Sequence, residues 1–228
     1  MIPLRDENPT ENFPYITVSL IVINVTVFIY QLIAGSPFTE YFALKPYNIF
    51  HSPTGFDCFT FISSMFLHGS LSHIIGNMLF LWIFGDNVED TLGKIRYIIF
   101  YLICGIAAGL LHTLFNINSK IPTLGASGAI SGVLGAYLVL FPTARVLTLV
   151  PIFWFIRLIY LPAKVFLIVW FIFQFLYITS PAAGGVAFLA HIGGFAVGYF
   201  LIRPLVRYKP PEIINEDDWF DEDEGSWV

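Results

Sequence analysis

The chain has 228 residues, of which 57% are apolar and 12% charged. Soluble domains average about 45–50% and about 25%. That balance excludes a disordered chain, a nucleic-acid binder and an ordinary soluble enzyme. The net charge of -5 misleads: eight of the 16 acidic residues fall between Glu212 and Glu224, and the remainder is net positive.

Charge-free windows set the predicted elements, because a span needs about 20 mostly apolar residues to cross the bilayer. The polar, turn-rich start Met1–Pro9 does not read as a cleavable signal peptide. Residues 12–39 carry no charge and predict a first span over 13–34. Residues 58–85 carry none and, with Leu71–Gly85 as the dense part, predict a second over 71–92. A third is expected over 96–117 and a fourth over 122–142. Residues 165–202 are 38 uncharged positions in a row. As one helix they would measure about 57 Å, too long for one crossing. Pro181-Ala-Ala-Gly184-Gly185 divides them into spans over 163–180 and 183–203.

The stretch 146–163 holds Pro151, Arg157 and Pro162. It reads as an interfacial segment, extended at Val146–Val150, with a seventh span as the alternative. With six spans and a cytoplasmic N-terminus, the inside holds Arg5, Lys94, Arg96, Arg145, Arg157, Lys164, Arg203, Arg207 and Lys209. The outside holds only Lys45 and Lys120. This bias predicts N-in, C-in orientation. The expected organisation is an all-α, six-span membrane domain over 1–207 and an acidic, disordered cytoplasmic tail over 208–228.

Polar groups within the spans need partners. Asn24 and Gln31 in the first span read as structural, bonding between helices or sitting near an interface, and Glu89 and Asp90 as pairing or capping groups at the inner end of the second. His51 and His112 receive no role. His73, Asn77, Ser127 and His191 form the informative set. His73 and Asn77 are four apart, on one face of a helix. Ser127 lies in Leu124-Gly-Ala-Ser-Gly-Ala-Ile-Ser-Gly132, and His191 in Ala190-His-Ile-Gly-Gly194. In a six-span chain the second, fourth and sixth spans run the same way. His73, Ser127 and His191 each fall in the N-terminal half of one of them, with His191 about 12 Å in from Ala183. Gly128 and Gly132, and Ala190, Gly194 and Gly198, form small-residue stripes that allow two helices to approach closely.

A serine hydroxyl becomes a nucleophile when a base removes its proton. His191 suits that base, and no acidic residue is placed to orient it. Attack on an amide builds an oxyanion that needs donors. The Ser127 N–H and the side chains of His73 and Asn77 are the candidates. Gly125 and Gly128 keep the backbone around Ser127 open. The two cysteines give no disulfide framework, and no His-Glu-x-x-His zinc motif occurs.

His73-x-x-x-Asn77, Gly125-Ala-Ser127-Gly128 and Ala190-His191-Ile-Gly-Gly194 resemble, in order, the three signatures of the rhomboid intramembrane serine proteases. The resemblance covers about residues 1–207, and Ile2–Pro9 and Arg145–Pro151 resemble prokaryotic members. It implies Ser127 as nucleophile, His191 as general base, and His73, Asn77 and the Ser127 amide as the oxyanion hole. It also implies a supporting role for His68, a structural role for Glu89, and a first loop partly embedded in the membrane. Phe59-Thr60 stand where many members carry Trp-Arg, so the first loop is expected to anchor differently. The implied substrate is a single-span membrane protein, with the fifth helix and Tyr177–Gly185 as gate and cap. No cofactor, metal or nucleic acid is expected, and a prokaryotic plasma membrane is the expected location. An inactive rhomboid-like client binder and a small transporter are the rival readings.

Overall fold

The structure is a computed structural model that describes residues 1–152, 155–178 and 187–206. The acidic tail, Arg207, Lys209, the Pro181–Gly185 break and all but the start of the expected cap lie outside the described residues.

The chain opens with strand β1 (Ile2–Asp6) and helix α1 (Tyr15–Ala34). Three short helices follow: α2 (Ser36–Phe42), α3 (Pro46–His51) and α4 (Asp57–Ser63). A 3-10 turn over Ser64–Phe66 leads to α5 (Leu71–Leu92), and α6 spans Lys94–Phe115. Then come α7 (Ser127–Leu140), β2 (Arg145–Ile152), β3 (Phe155–Pro162), α8 (Ala163–Ile178) and α9 (Phe188–Leu205). Helices α1, α6 and α9 are long and apolar enough to cross a membrane. Helix α5 joins them when taken with α4 and the 3-10 turn, across a bend of 82°. Helices α7 and α8 are shorter and apolar. The result is a mostly helical membrane bundle.

The bundle is apolar outside and carries polar groups within. On α6, Ile95, Ile99, Ile103, Leu110 and Leu114 form an exposed stripe at helical spacing. Lipid, not water, suits such a surface. On α1, the buried residues include Thr17, Asn24 and Gln31, while Val22, Ile29 and Ile33 are exposed. Asn24 Nδ2 donates to Leu20 O within its own helix at 2.7 Å.

Glu89 shows why α1 starts where it does. A helix leaves its first N–H groups without intrahelical partners. The two carboxyl oxygens of Glu89 accept from Ile16 N at 2.8 Å and Thr17 N at 2.7 Å. Asp90 accepts from Glu11 N and Asn12 Nδ2, both at 2.8 Å. The C-terminal end of α5 therefore caps α1, as the capping reading anticipates.

Residues 146–152 and 155–162 are strand, not helix. β2 pairs antiparallel with β3, from Arg145 opposite Pro162 to Ile152 opposite Phe155, and β1 covers the other edge of β2. Tyr137 of α7 donates its hydroxyl proton to Asp6 of β1. Burial pushes the Asp6 carboxyl above its ordinary value, against the opposing effect of the Tyr137 bond.

The fourth predicted element is shorter than expected. Thr123 pairs with Leu44 as an isolated bridge, and Gly125 has φ +126, so 122–126 cannot be helical. Helix α7 starts at Ser127 and runs about 21 Å. It packs against α9 along the glycine stripes. A Cβ on Gly194 would overlap the Gly128 carbonyl, and one on Gly198 would overlap that of Gly132. The two backbones touch because nothing stands between them.

Two stability predictions follow from these contacts. Gly198→Val should force α7 and α9 apart at a cost of about 1–3 kcal/mol or more, read as a lowered thermal midpoint in detergent. Glu89→Ala should strand two N–H donors and cost about 1–3 kcal/mol, read the same way.

Candidate active site

Three helices and one turn deliver the site. Gly125 and Ala126 turn the chain into α7, so Ser127 is that helix's first residue. Its backbone N–H has no intrahelical carbonyl to meet. His191 lies in the first turn of α9, which begins at Phe188, and so sits closer to its helix start than the expected span over 183–203 implied. Its Nε2 is 2.8 Å from Ser127 Oγ. The glycine stripe just beyond both residues holds the helices close enough for that contact.

The other face of the imidazole is also engaged. His191 Nδ1 lies 2.8 Å from Gln174 Oε1 on α8. Trp170, one turn earlier, sets its ring 6.0 Å from the imidazole. Neither residue belongs to the set read from the sequence. A glutamine in a strongly apolar run was the available signal, but its partner lies 17 residues away on another helix.

His73 and Asn77 project from α5 toward the Gly125 turn. A Cβ on Gly125 would sit 2.8 Å from His73 Cε1 and Nε2 and 3.7 Å from Asn77 Nδ2. Glycine is therefore required twice at 125, by its positive φ and by the His73 ring. Ser70 caps α5 by accepting from His73 N at 3.2 Å. Gly69 N donates to His73 Nδ1 at 3.4 Å, which leaves the proton on Nε2, facing the turn.

His68 is almost fully buried and contacts Asn77 Nδ2 through Nε2 at 2.9 Å. Gln31 of α1 holds the His68 backbone, accepting from His68 N at 2.9 Å and donating to His68 O at 3.4 Å. Its amide also donates to Thr39 Oγ1. A polar chain thus runs from α1 through His68 to Asn77. Gly128 lies against Ala108 and Ala190, and Gly194 against the Gly128 carbonyl.

All four residues of the informative set line one cavity of about 810 Å³, together with Gly125 and Gly128. The remaining polar residues lie elsewhere. His112 Nε2 contacts Thr123 Oγ1 at 3.0 Å and steadies the approach to Gly125. His51 stacks on Tyr47 at 4.3 Å. Phe59 joins an aromatic cluster with Phe56, while Thr60 is buried and donates to Asp57 O. Among the described residues no three His, Cys, Asp or Glu side chains converge to hold a metal ion.

Comparison with known proteins gives this geometry a family. A Rhomboid domain matches residues 56–208. The chain is 34% identical over 137 residues to Rhomboid protein 1, mitochondrial, of Saccharomyces cerevisiae, covering 58% of this chain and 38% of that protein. It is 30% identical over 137 residues to Rhomboid protease AarA of Providencia stuartii, covering 53% and 49%. It is 28% identical over 202 residues to Rhomboid protease GluP of Bacillus subtilis, covering 87% and 36%. The chain spans half or less of the length of these relatives. Because the domain match covers most of the chain and includes all four clustered polar residues, the chain belongs to the rhomboid family of multi-pass membrane proteins.

Proposed function

We propose that this chain is an intramembrane serine endopeptidase that cuts single-span membrane proteins within or beside their transmembrane helix. The observation that carries the reading is the 2.8 Å contact between Ser127 Oγ and His191 Nε2. It sits in a cavity that His73 and Asn77 share. The protease names of two bacterial relatives support it.

The proposed chemistry uses the residues in sequence. His191 Nε2 takes the Ser127 proton as Oγ bonds to the scissile carbonyl carbon. The carbonyl oxygen becomes an oxyanion, held by the Ser127 N–H, His73 Nε2–H and Asn77 Nδ2–H. The C–N bond then breaks, and His191 returns the proton to the leaving amine. Water, activated by the same imidazole, hydrolyses the resulting ester. His68 supports the oxyanion hole through Asn77, and Gly125, Gly128 and Gly194 keep the backbones close.

The membrane arrangement is part of the proposal. Helices α1, α5, α6, α7, α8 and α9 make six spans, N-in and C-in, in a domain over 1–207 with an acidic cytoplasmic tail over 208–228. Contacts between the elements fall at two ends of the bundle, which supports this reading. Asn8 meets Asn87, Asp6 meets Tyr137 and Ala144 meets Ala163 at one end. Gln31 meets His68 and Ser127 meets His191 at the other. The short α7 then starts below the outer surface, where irregular backbone is tolerated because it lines a cavity. A prokaryotic plasma membrane is the proposed location.

A helical substrate must unwind to expose an amide, so Gly or Pro in its helix should favour cleavage. We assign α8 as the lateral gate. It meets α5 through Phe80, whose ring lies 6.2 Å from Phe166 and 6.4 Å from Trp170.

Purified protein should cut a model single-span substrate in liposomes and take up a fluorophosphonate label. Ser127→Ala should abolish both, and His191→Ala should lower cleavage by about 10⁴-fold or more. A wild-type chain that neither cuts nor labels would instead favour a client-binding role. Joining Phe80→Cys to Phe166→Cys with a short crosslinker, in a Cys58→Ser background, should stop cleavage of the transmembrane substrate. Cleavage at the uncrosslinked rate would remove α8 from the gate.

A further inference from the structure

Gln174 is an amide in the uncharged, apolar run of α8 that follows Lys164, and it is 6% exposed. Burying such a group is costly unless both ends find partners. Both do. Its Nε2 donates to Trp170 O at 2.9 Å, and its Oε1 lies 2.8 Å from His191 Nδ1. We infer that Gln174 is the positioning residue of the Ser127–His191 pair, holding the imidazole in the tautomer a general base needs. The inference rests on that pair being the catalytic one.

The Trp170 bond fixes which end of the amide faces the ring. Turning the amide over would set its oxygen against the Trp170 carbonyl, where two acceptors repel. The Trp170 bond therefore aims Oε1 at His191. An amide oxygen only accepts, so Nδ1 must carry the imidazole proton. Nε2 is then a lone pair, and it faces Ser127 Oγ at 2.8 Å. With the opposite tautomer, Nε2–H would point at the hydroxyl and could not take its proton.

The partner's neutrality also matters. No carboxylate is bonded to His191 among the described residues. A buried carboxylate would orient the ring equally well, but its charge would need desolvation. The amide orients the ring without that cost. Trp170 adds a second restraint from the same helix, its ring tilted 32° to the imidazole at 6.0 Å. The base is therefore set by α8 as well as by its own helix.

The test compares wild type, Gln174→Met, Gln174→Glu and Ser127→Ala as full-length protein in liposomes. Four quantities are read: kcat and KM on a model single-span substrate, the rate of fluorophosphonate labelling, and the thermal midpoint. Gln174→Met removes the acceptor and keeps the length. It should lower kcat and the labelling rate about tenfold with KM unchanged, and lower the thermal midpoint only slightly through the stranded Nδ1–H. Gln174→Glu restores an acceptor and should recover most of both rates. A packing role predicts the reverse order, since Met suits an apolar helix and a buried carboxylate does not. Gln174→Met at wild-type rates, or Gln174→Glu slower than Gln174→Met with an intact thermal midpoint, would overturn the inference. If Gln174→Glu does not fold, the Gln174→Met rates alone decide. Continued cutting by Ser127→Ala would overturn the catalytic pair itself, and the inference with it, whatever the Gln174 variants do.

Discussion

The site depends on backbone contact between α7 and α9. Gly194 and Gly198 rest on the carbonyls of Gly128 and Gly132, with no room for a side chain at either position. In lipid there is little hydrophobic gain in pressing two apolar helices together, so packing and close approach must supply the association. Ser127 precedes this stripe on one helix and His191 precedes it on the other. Their 2.8 Å separation follows from the distance at which the glycines let the helices meet. Any side chain added to the stripe would act on the Ser127–His191 contact through that distance.

A second demand comes from polar groups that lipid cannot satisfy. The chain answers it by turning them inward and using them between elements. Gln31 holds the His68 backbone, and His68 meets Asn77. Glu89 caps α1 from the far end of α5. Helix α5 is thus bonded to α1 near both of its ends, and its His73–Asn77 face is held in place. The outward faces of α1 and α6 carry aliphatic side chains instead. The same logic explains Gln174, whose amide is spent on the imidazole and on its own helix.

Much of the site was legible along the chain. The His73–Asn77 step is local helix geometry. The Gly125–Gly128 turn and the stripes on α7 and α9 are local as well. Gly125 could be read as an open position, but its closeness to the His73 ring could not, because the two are distant in sequence. Gln174 escaped for a related reason. Its role depends on the rotation of α8 about its axis and on where α9 lies against it, and neither is encoded by periodicity in an apolar run.

By itself the sequence determined the membrane character and the polar set, because lipid imposes length, excludes charge and makes every buried polar residue conspicuous. The extended character of Val146–Val150 was readable too, from its β-branched residues and the prolines around it. What only the tertiary structure decided was partnership. β1 reaches β2 across more than a hundred residues, and a short apolar run carries no mark of the strand it will pair with. The start of α7 at Ser127 likewise came from a bridge between Thr123 and Leu44 and from the positive φ of Gly125. Hydropathy records how much of the chain prefers lipid. It says nothing of which groups inside the bundle meet, since that is set by helix rotation and close approach in three dimensions.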